Sequence, residues 1–471
     1  MVCRVRGAVL SGAIVLAGCG ADPSALQDTD AGGSTSGSTT ASTVSPTSAD
    51  TSSTSTGVVD VSSSGGSSSD GGDETTTGGA TTDPCDDLEA FVVMLEASDP
   101  AETAGMVDAF VEAQQYGEHG LPLRCDERVV FLSTRFGYVA GDFNDWDPEA
   151  LPMDRPVADA PLWVAETQVM APGGLYKFVD EGAFVADPLA RRYGWDAFGE
   201  YSQIDGDPAR SHHERWPAFA DAVEPLESRT VRVHVPAAVN AGQEVPVLYM
   251  HDGQNVFSPD AFFGGWQASV SADALVAEGS IQPVLIVAID NTPGRLEEYS
   301  HVPDDIGDGP VGGLADDYAD FVVEGVVPFV EARYPARTGP EHTAVLGSSM
   351  GGLVSLHIAR RHPDVFGFVG SMSGTLAWGT FGLDNETMIE RYVASAPRGA
   401  SVYIDSGGDG PCPGGGSDNY CEGVALADVL RGQGWEDEID LFYRWGPGDP
   451  HNEAAWAARL PVAFVEWFPG G

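Results

Sequence analysis

The stretch Gly347-Ser348-Ser349-Met350-Gly351 sits between an apolar run, His342-Thr343-Ala344-Val345-Leu346, and a helix-forming segment from Leu353 to Arg361. A chain that passes from strand to helix through one serine with small residues on either side has few options. The turn must be sharp, and Gly347 and Gly351, two before and two after the serine, give it room. Such a turn presents the Ser349 hydroxyl at the end of a strand and marks it as a candidate nucleophile. A serine hydroxyl is a poor nucleophile until a base takes its proton and backbone donors stabilise the oxyanion that forms.

The base is expected after the nucleophile and near the C-terminus, with the acid between them. Of the ten histidines, His451 alone lies beyond His362. It occupies Gly448-Asp449-Pro450-His451-Asn452-Glu453, a loop ahead of a helix expected over Ala454 to Leu460. There it would accept the Ser349 proton and later return it to the leaving alcohol. The acid should follow the strand Ser401-Val402-Tyr403-Ile404, so Asp405, Asp409 and Asp418 compete. Asp409 lies directly in the loop after the strand and is preferred. Asp418 follows a Gly-rich excursion, and takes the role if that excursion is an insertion. The acidic loop also admits a calcium reading, although no EF-hand spacing is present. For the oxyanion, the amide of Met350 and that of Gln254 are the candidates. Gln254 lies in Met250-His251-Asp252-Gly253-Gln254-Asn255, where Gly253 permits a tight approach, and His251 reads as part of the loop's architecture.

From about Arg229 strands and helices alternate, implying a largely parallel sheet covered on both faces. The strand runs are 230–235, 245–250, 283–289, 342–346 and 401–404, with helices over Tyr318 to Tyr334 and Leu353 to Arg361. This is the order of an α/β-hydrolase core, assigned to residues 216–471. In front of it, runs at 129–132, 138–141, 163–165 and 176–179 are separated by turn residues and read as a small β-sandwich. Leu88, Phe91, Val92 and Leu95, then Met106, Phe110 and Val111, recur at helical spacing and predict two short helices before the sandwich. Together these make a unit over residues 83–215. The fold class is therefore α/β, with the hydrolase preceded by a sandwich and by an N-terminal tail.

That tail, residues 19–82, is almost entirely Ser, Thr, Gly, Asp and Ala, and cannot bury enough apolar surface to fold. It reads as a disordered tether. Residues 1–18 read as a signal peptide: Arg4 and Arg6 precede an apolar run from Ala8 to Ala17, too short to span a bilayer. Leu16-Ala17-Gly18-Cys19 resembles the lipobox of bacterial lipoproteins, which implies a lipid on Cys19 and anchorage in the cell envelope, at the outer membrane or cell surface if the cell is Gram-negative. In that oxidising setting Cys85 is expected to pair with Cys125, and Cys412 with Cys421, because each pair lies within one unit. No Cys-x-x-Cys or Cys/His cluster at ligand spacing occurs, so no metal is expected, and no cofactor. With 71 acidic against 23 basic residues and a net charge of -48, nucleic acid is excluded as a partner. The partners expected are an ester, small or glycan-linked, and the membrane through the lipid.

Two resemblances carry further. Val139-Ala140-Gly141-Asp142-Phe143-Asn144-Asp145-Trp146, with 175–179 and Asp187-Pro188, resembles the early-set domain related to glycogen-binding modules. In those modules exposed Trp and Lys bind α-glucans, so the resemblance implies a carbohydrate site at Trp146 and Lys177. A core-closing Trp146 and an edge-strand Lys177 are the alternative. From about Cys85 onward the chain resembles the esterase family that includes enterochelin esterases, feruloyl esterases, S-formylglutathione hydrolases and mycolyltransferases. The marks are 248–257, Gly265-Trp266, Asp290-Asn291 with Arg295 to Tyr299, Gly347 to Gly352, and His451-Asn452-Glu453 with Trp456. The early-set domain in front makes the enterochelin-esterase-like branch the best match. The resemblance implies a Ser/acid/His triad with Ser349 and His451 at matching positions, and leaves the acid open. It also leaves the ester open. Anionic catecholate siderophores suit an acidic chain only if Arg295 or Arg191-Arg192 line the cleft, and an acyl or feruloyl ester on a polysaccharide suits the location better. A glycan-binding lipoprotein without activity is the reading from another class.

Overall fold

Every residue of Val247–His251, Leu285–Ile289 and Thr343–Ser348 is buried, as it must be where helices cover a sheet on both sides. The computed structural model describes residues 83–471 apart from 126, 136, 169–173, 220–224 and 413–415. The signal peptide, Cys19 and the tether lie outside the described residues.

Two helices open the described chain, α1 (Pro84–Glu96) and α2 (Thr103–Gln115). Asp83 caps α1 by accepting from the Cys85 amide at 2.9 Å, and Pro84 occupies the first turn, where its missing N–H costs nothing. Phe91 of α1 and Phe110 of α2 stack at 4.1 Å. Nine strands follow: β1 (Leu123–Cys125), β2 (Arg128–Ser133), β3 (Tyr138–Gly141), β4 (Trp163–Gln168), β5 (Leu175–Asp180), β6 (Ala183–Val185), β7 (Arg192–Asp196), β8 (Gly199–Gln203) and β9 (His212–Phe219). β1, β2 and β4 form one antiparallel sheet. It packs on β3 and β5 through Val129, Phe131, Val139 and Tyr176, giving the two-layered core expected of the sandwich.

The C-terminal half contributes β10 (Arg229–Val235), β11 (Val247–His251), β12 (Leu285–Ile289), a separate two-stranded ribbon of β13 (Asp304–Asp305) and β14 (Pro310–Val311), then β15 (Thr343–Ser348), β16 (Phe368–Met372), β17 (Ser401–Ser406) and β18 (Leu441–Trp445). The order is β18-β17-β16-β15-β11-β12-β10, parallel except where β10 runs against β12. The ladder does not stop there. β9 pairs with both β10 and β7, so among the described residues a single 13-stranded sheet runs from the hydrolase half into the sandwich. The division expected between residues 215 and 216 falls inside β9.

Helices α3 (Ala268–Ala277) and α8 (Glu453–Trp467) pack on one face against Leu248, Met250, Ile286 and Leu346. Helices α4 (Ala315–Asp320), α5 (Val327–Arg333), α6 (Met350–Arg361) and α7 (Tyr420–Gly432) pack on the other, against Val233, Tyr249, Val287 and Val345. Each such side chain, fully buried, contributes about 1.5–3 kcal/mol. The helix expected from Tyr318 to Tyr334 exists, but a π-helical stretch, Phe321–Val326, joins α4 to α5. Pro328 lacks an N–H and crowds the carbonyl four residues back, which accounts for the wider turn. The final helix continues past Pro461, where the sequence suggested a stop, because Ala463, Phe464 and Trp467 beyond it are buried.

Candidate active site

Ser349 stands between β15 and α6 with φ 55° and ψ -122°. This conformation is costly for any residue with a Cβ, and its cost is of order 1–3 kcal/mol. The surrounding backbone holds it there: the Ser349 amide donates to Met372 at 2.9 Å, and its carbonyl accepts from the Thr375 amide at 3.1 Å. Gly347 is required by proximity, since a Cβ there would lie 2.6 Å from the Gly351 carbonyl. The Ser349 side chain is buried, and its hydroxyl shares a hydrogen bond with Thr375 Oγ1 at 3.3 Å.

The segment from Met372 to Thr375, at the end of β16, also holds Asp418 and Trp456, the two residues that meet His451. Ser373 Oγ donates to Asp418 Oδ2 at 2.7 Å, and Asn419 Nδ2 donates to the Ser373 carbonyl at 2.7 Å. Asp418 further accepts from the Gly407 amide and, through Oδ1, from His451 Nδ1. A carboxylate can only accept, so Nδ1 carries the proton and Nε2 keeps its lone pair. The ring is fixed from a second side by Trp456, edge-on at 5.0 Å, whose indole N–H donates to Ser373 Oγ at 3.0 Å. Asn452 caps α8 by accepting from the Ala455 amide at 3.0 Å, which sets His451 at the mouth of the helix.

Of the three aspartates weighed from sequence, Asp418 is the one bonded to His451. Asp409, the preferred candidate, is exposed and bonds through its backbone, the amide donating to Ser417 Oγ at 2.9 Å and the carbonyl accepting from the Ser417 amide at 3.2 Å. The reason is the path of the loop. The Cys412–Cys421 disulfide closes the excursion, and Asp418 and Asn419, both left-handed, bring the chain back to the end of β17 before α7 begins. Asp405, next to last in β17, is buried, and Arg459 donates to both of its oxygens at 3.1 Å. Arg459 also reaches Asp449 at 2.9 Å and Ser373 at 3.2 Å. Ser373, Thr375 and Arg459 are thus parts of the site that sequence reading did not single out. Ser373 and Thr375 flank a glycine in a loop with no motif, and Arg459 looks like any helix arginine.

The loop after β11 comes close to α6 from the other side. Asp252 is left-handed, at φ 57°, and Arg295 grips it with two bonds of 2.6 and 2.8 Å while Asn291 donates at 2.5 Å. Burial works to raise the Asp252 carboxyl, but the Arg295 charge and these bonds outweigh it and hold it below the usual range. A Cβ on Gly351 would lie 3.3 Å from Asp252 Oδ2, so this loop abuts the start of α6. Neither the Met350 nor the Gln254 amide has an acceptor among the described residues, and both belong to the orphan donors of helical first turns. His251 is buried, meets Tyr318 at 3.0 Å and is pushed down to about 4 by burial, as befits a structural residue. Burial pushes the Glu453 carboxyl up, and Asn255 donates to it at 3.4 Å.

Both disulfides have the expected pairing, Cys85 with Cys125 and Cys412 with Cys421. The carbohydrate candidates fare differently. Lys177 is buried on β5 with its ammonium donating to the Phe198 carbonyl at 2.7 Å, so it presents no charge to a glycan. Trp146 is half-buried, its indole N–H donates to Asp142 at 2.9 Å, and its ring lies 6.4 Å from exposed Phe184. It does not close the sandwich core.

A mostly parallel sheet with helices on both faces, carrying a strained serine at a strand-to-helix turn, is an α/β-hydrolase. Residues 224–466 match the Esterase family model, and the chain belongs to that family. Among curated proteins it is 25% identical over 181 residues to the iron(III) salmochelin esterase of Escherichia coli O6:H1, covering 36% of this chain and 40% of that one. It is 26% identical over 152 residues to an endo-1,4-beta-xylanase/feruloyl esterase of Xylanibacter ruminicola, covering 31% and 19%. The chain spans less than two thirds of the length of these relatives. The enterobactin esterase of Shigella flexneri is similar in structure, at a TM-score of 0.42 and 20% identity, over 75% of this chain and 97% of that one.

Proposed function

We propose that this chain is a serine esterase of the cell envelope, with Ser349, His451 and Asp418 as its triad. The observation that carries the reading is the His451–Asp418 bond, anchored through Ser373 to the same short segment that holds the Ser349 backbone. In the reaction, Ser349 Oγ turns from Thr375 toward His451 and attacks the ester carbonyl while Nε2 takes its proton. The tetrahedral oxyanion is met by the amides of Met350 and Gln254. It collapses with loss of the alcohol, which receives the proton from His451. Water, deprotonated by the same imidazole, then attacks the acyl-enzyme and releases the carboxylic acid and free Ser349.

For the substrate we favour a carboxylic ester carried by a carbohydrate, of acyl or feruloyl type. Arg295 is committed to Asp252 and Arg459 to Asp405. Arg192 lies on β7, five strands from β15, or about 24 Å at the usual strand spacing. Of the arginines that could serve a polyanionic siderophore, Arg295 is thus paired, and Arg191-Arg192 stand at β7, away from Ser349. The lipobox-like 16–19 segment and two disulfides support a location outside the cytoplasm, with the lipid on Cys19 as anchor. Hydrolysis of p-nitrophenyl acetate by the full chain, against Ser349→Ala, tests the activity, and equal rates would remove the triad. A panel of feruloylated, acetylated and catecholate esters then ranks substrates.

A further inference from the structure

A cavity of about 880 Å³ lies where α2, the sandwich and the hydrolase half meet, and its wall is unusual for this chain. The protein carries 71 acidic and 23 basic residues. Yet Arg124, Arg191, Arg192 and Arg333 all face this one space, against the carboxylates of Glu118, Asp205 and Glu214. The cavity is also remote from Ser349. Val235, at the end of β10, lines it, and the neighbouring His234 pairs with Ile286 near the start of β12. Ser349 instead follows the far end of β15, which runs parallel to β11 as β12 does.

The carboxylates present do not account for all four arginines. Arg192 reaches Asp205 at 3.3 Å and Glu214 at 3.4 Å, and Arg124 reaches Asp205 at 3.1 Å. Glu214 is further occupied by His212 at 3.0 Å and by Tyr334 at 2.8 Å. Arg191 and Arg333 have no carboxylate within ion-pair distance among the described residues. Both guanidiniums lie against the Trp216 ring, at 3.3 and 4.7 Å from its centre, and they donate to the carbonyls of Gln115 and Tyr116 at the end of α2. Arg191 is buried, and the Glu214 carboxylate that acts on its charge stands beyond ion-pair distance. Arg124 Nε, on the same wall, is a buried donor with no hydrogen-bond partner among the described residues.

We propose that this cavity binds a small oxyanion, a carboxylate or phosphate group, between Arg191 and Arg333 with Arg124 completing the contacts. The planar guanidinium fork matches both groups. A ligand there would bridge α2, the sandwich and the hydrolase half, and so tie the front unit to the enzyme at a point away from its chemistry.

The test is titration of the full chain at low ionic strength with inorganic phosphate and, separately, with citrate, read by calorimetry and tryptophan fluorescence. Saturable binding of either probe is expected. It should weaken about tenfold or more in Arg191→Gln and in Arg333→Gln, as loss of a charged hydrogen-bond partner implies. Arg431→Gln, an exposed arginine paired with Asp437 elsewhere, should bind as the parent does. Phosphate alone binding identifies a phosphorylated ligand, and citrate alone a carboxylate. Saturation by neither probe, or undiminished binding in Arg333→Gln, overturns the proposal. Arg333 is exposed, so that variant serves even if Arg191→Gln does not fold.

Discussion

Asp418 and His451 lie 33 residues apart in the chain and share a hydrogen bond whose carboxylate is also held by Ser373 at 2.7 Å. Asp418→Asn keeps the shape but offers an amide, which can donate to the ring and stabilise the wrong tautomer. A loss in kcat of roughly 10³–10⁴-fold is expected. Asp409→Asn should stay within about twofold, because the side chain is exposed and takes no part in that bond. Steady-state hydrolysis of p-nitrophenyl acetate by the two variants decides between the aspartates.

The Ser349 backbone, at φ 55° and ψ -122°, lies where glycine is comfortable and other residues are not. Ser349→Gly should therefore be inactive and yet more stable, by about 1 kcal/mol. Ser349→Ala, which keeps the Cβ, should be inactive without that gain. Thermal unfolding of both beside the parent separates strain from chemistry.

The Cys412–Cys421 bridge spans 9 residues of sequence, and Asp418 lies between its ends. A loop of that length predicts about 2–3 kcal/mol of stability from the bridge. Replacing both cysteines by serine should lower kcat as well, because the segment that brings the acid back to His451 is no longer closed. Activity at a temperature well below the unfolding midpoint isolates this effect. An unchanged kcat there would mean that Ser373 and the Gly407 amide are enough to hold the acid.

Acid should destabilise the protein before its carboxylates neutralise. Burial pushes His251 down to about 4, His301 to about 3 and His357 to about 4, from an ordinary value near 6.5. Between those values the unfolded chain binds protons that the folded chain refuses, so stability rises with pH there and is lost as pH falls from about 6.5 toward 4. His251 alone accounts for about 3 kcal/mol, at about 1.4 kcal/mol per unit. Glu214 acts in the same direction at lower pH. Burial works to raise its carboxyl, but His212 and the neighbouring arginines bring it to about 2. Calorimetric unfolding across this range checks the trend, and His251→Gln should flatten part of it.

The sequence showed Ser349 and His451 because each sits in a local pattern: glycines around a turn, and a lone late histidine ahead of a helix. Asp418 depends on how a loop returns, and no local pattern states that. The path is set by a bridge, by two left-handed residues and by Ser373, contributed from 45 residues earlier. Lys177 is ambiguous in sequence for a related reason. Its motif position marks the strand, while its burial is decided by the Phe198 carbonyl opposite. Strands 247–251 and 285–289 were legible from unbroken apolar runs. β9 was not, because His212-His213-Glu214-Arg215 looks like a solvated face until those side chains are seen paired with Glu200, Ser269 and one another.

The ladder between β9 and β10, bulged once between Arg229 and Val231, gives the molecule a mechanical property. Its register runs from Arg229 opposite Phe219 to Val235 opposite His212, so bending the front unit away from the hydrolase would mean tearing a backbone ladder from the middle of a sheet. The sandwich is a fixed buttress and cannot swing like a hinged arm. Whatever the front unit contributes, it contributes from a fixed position.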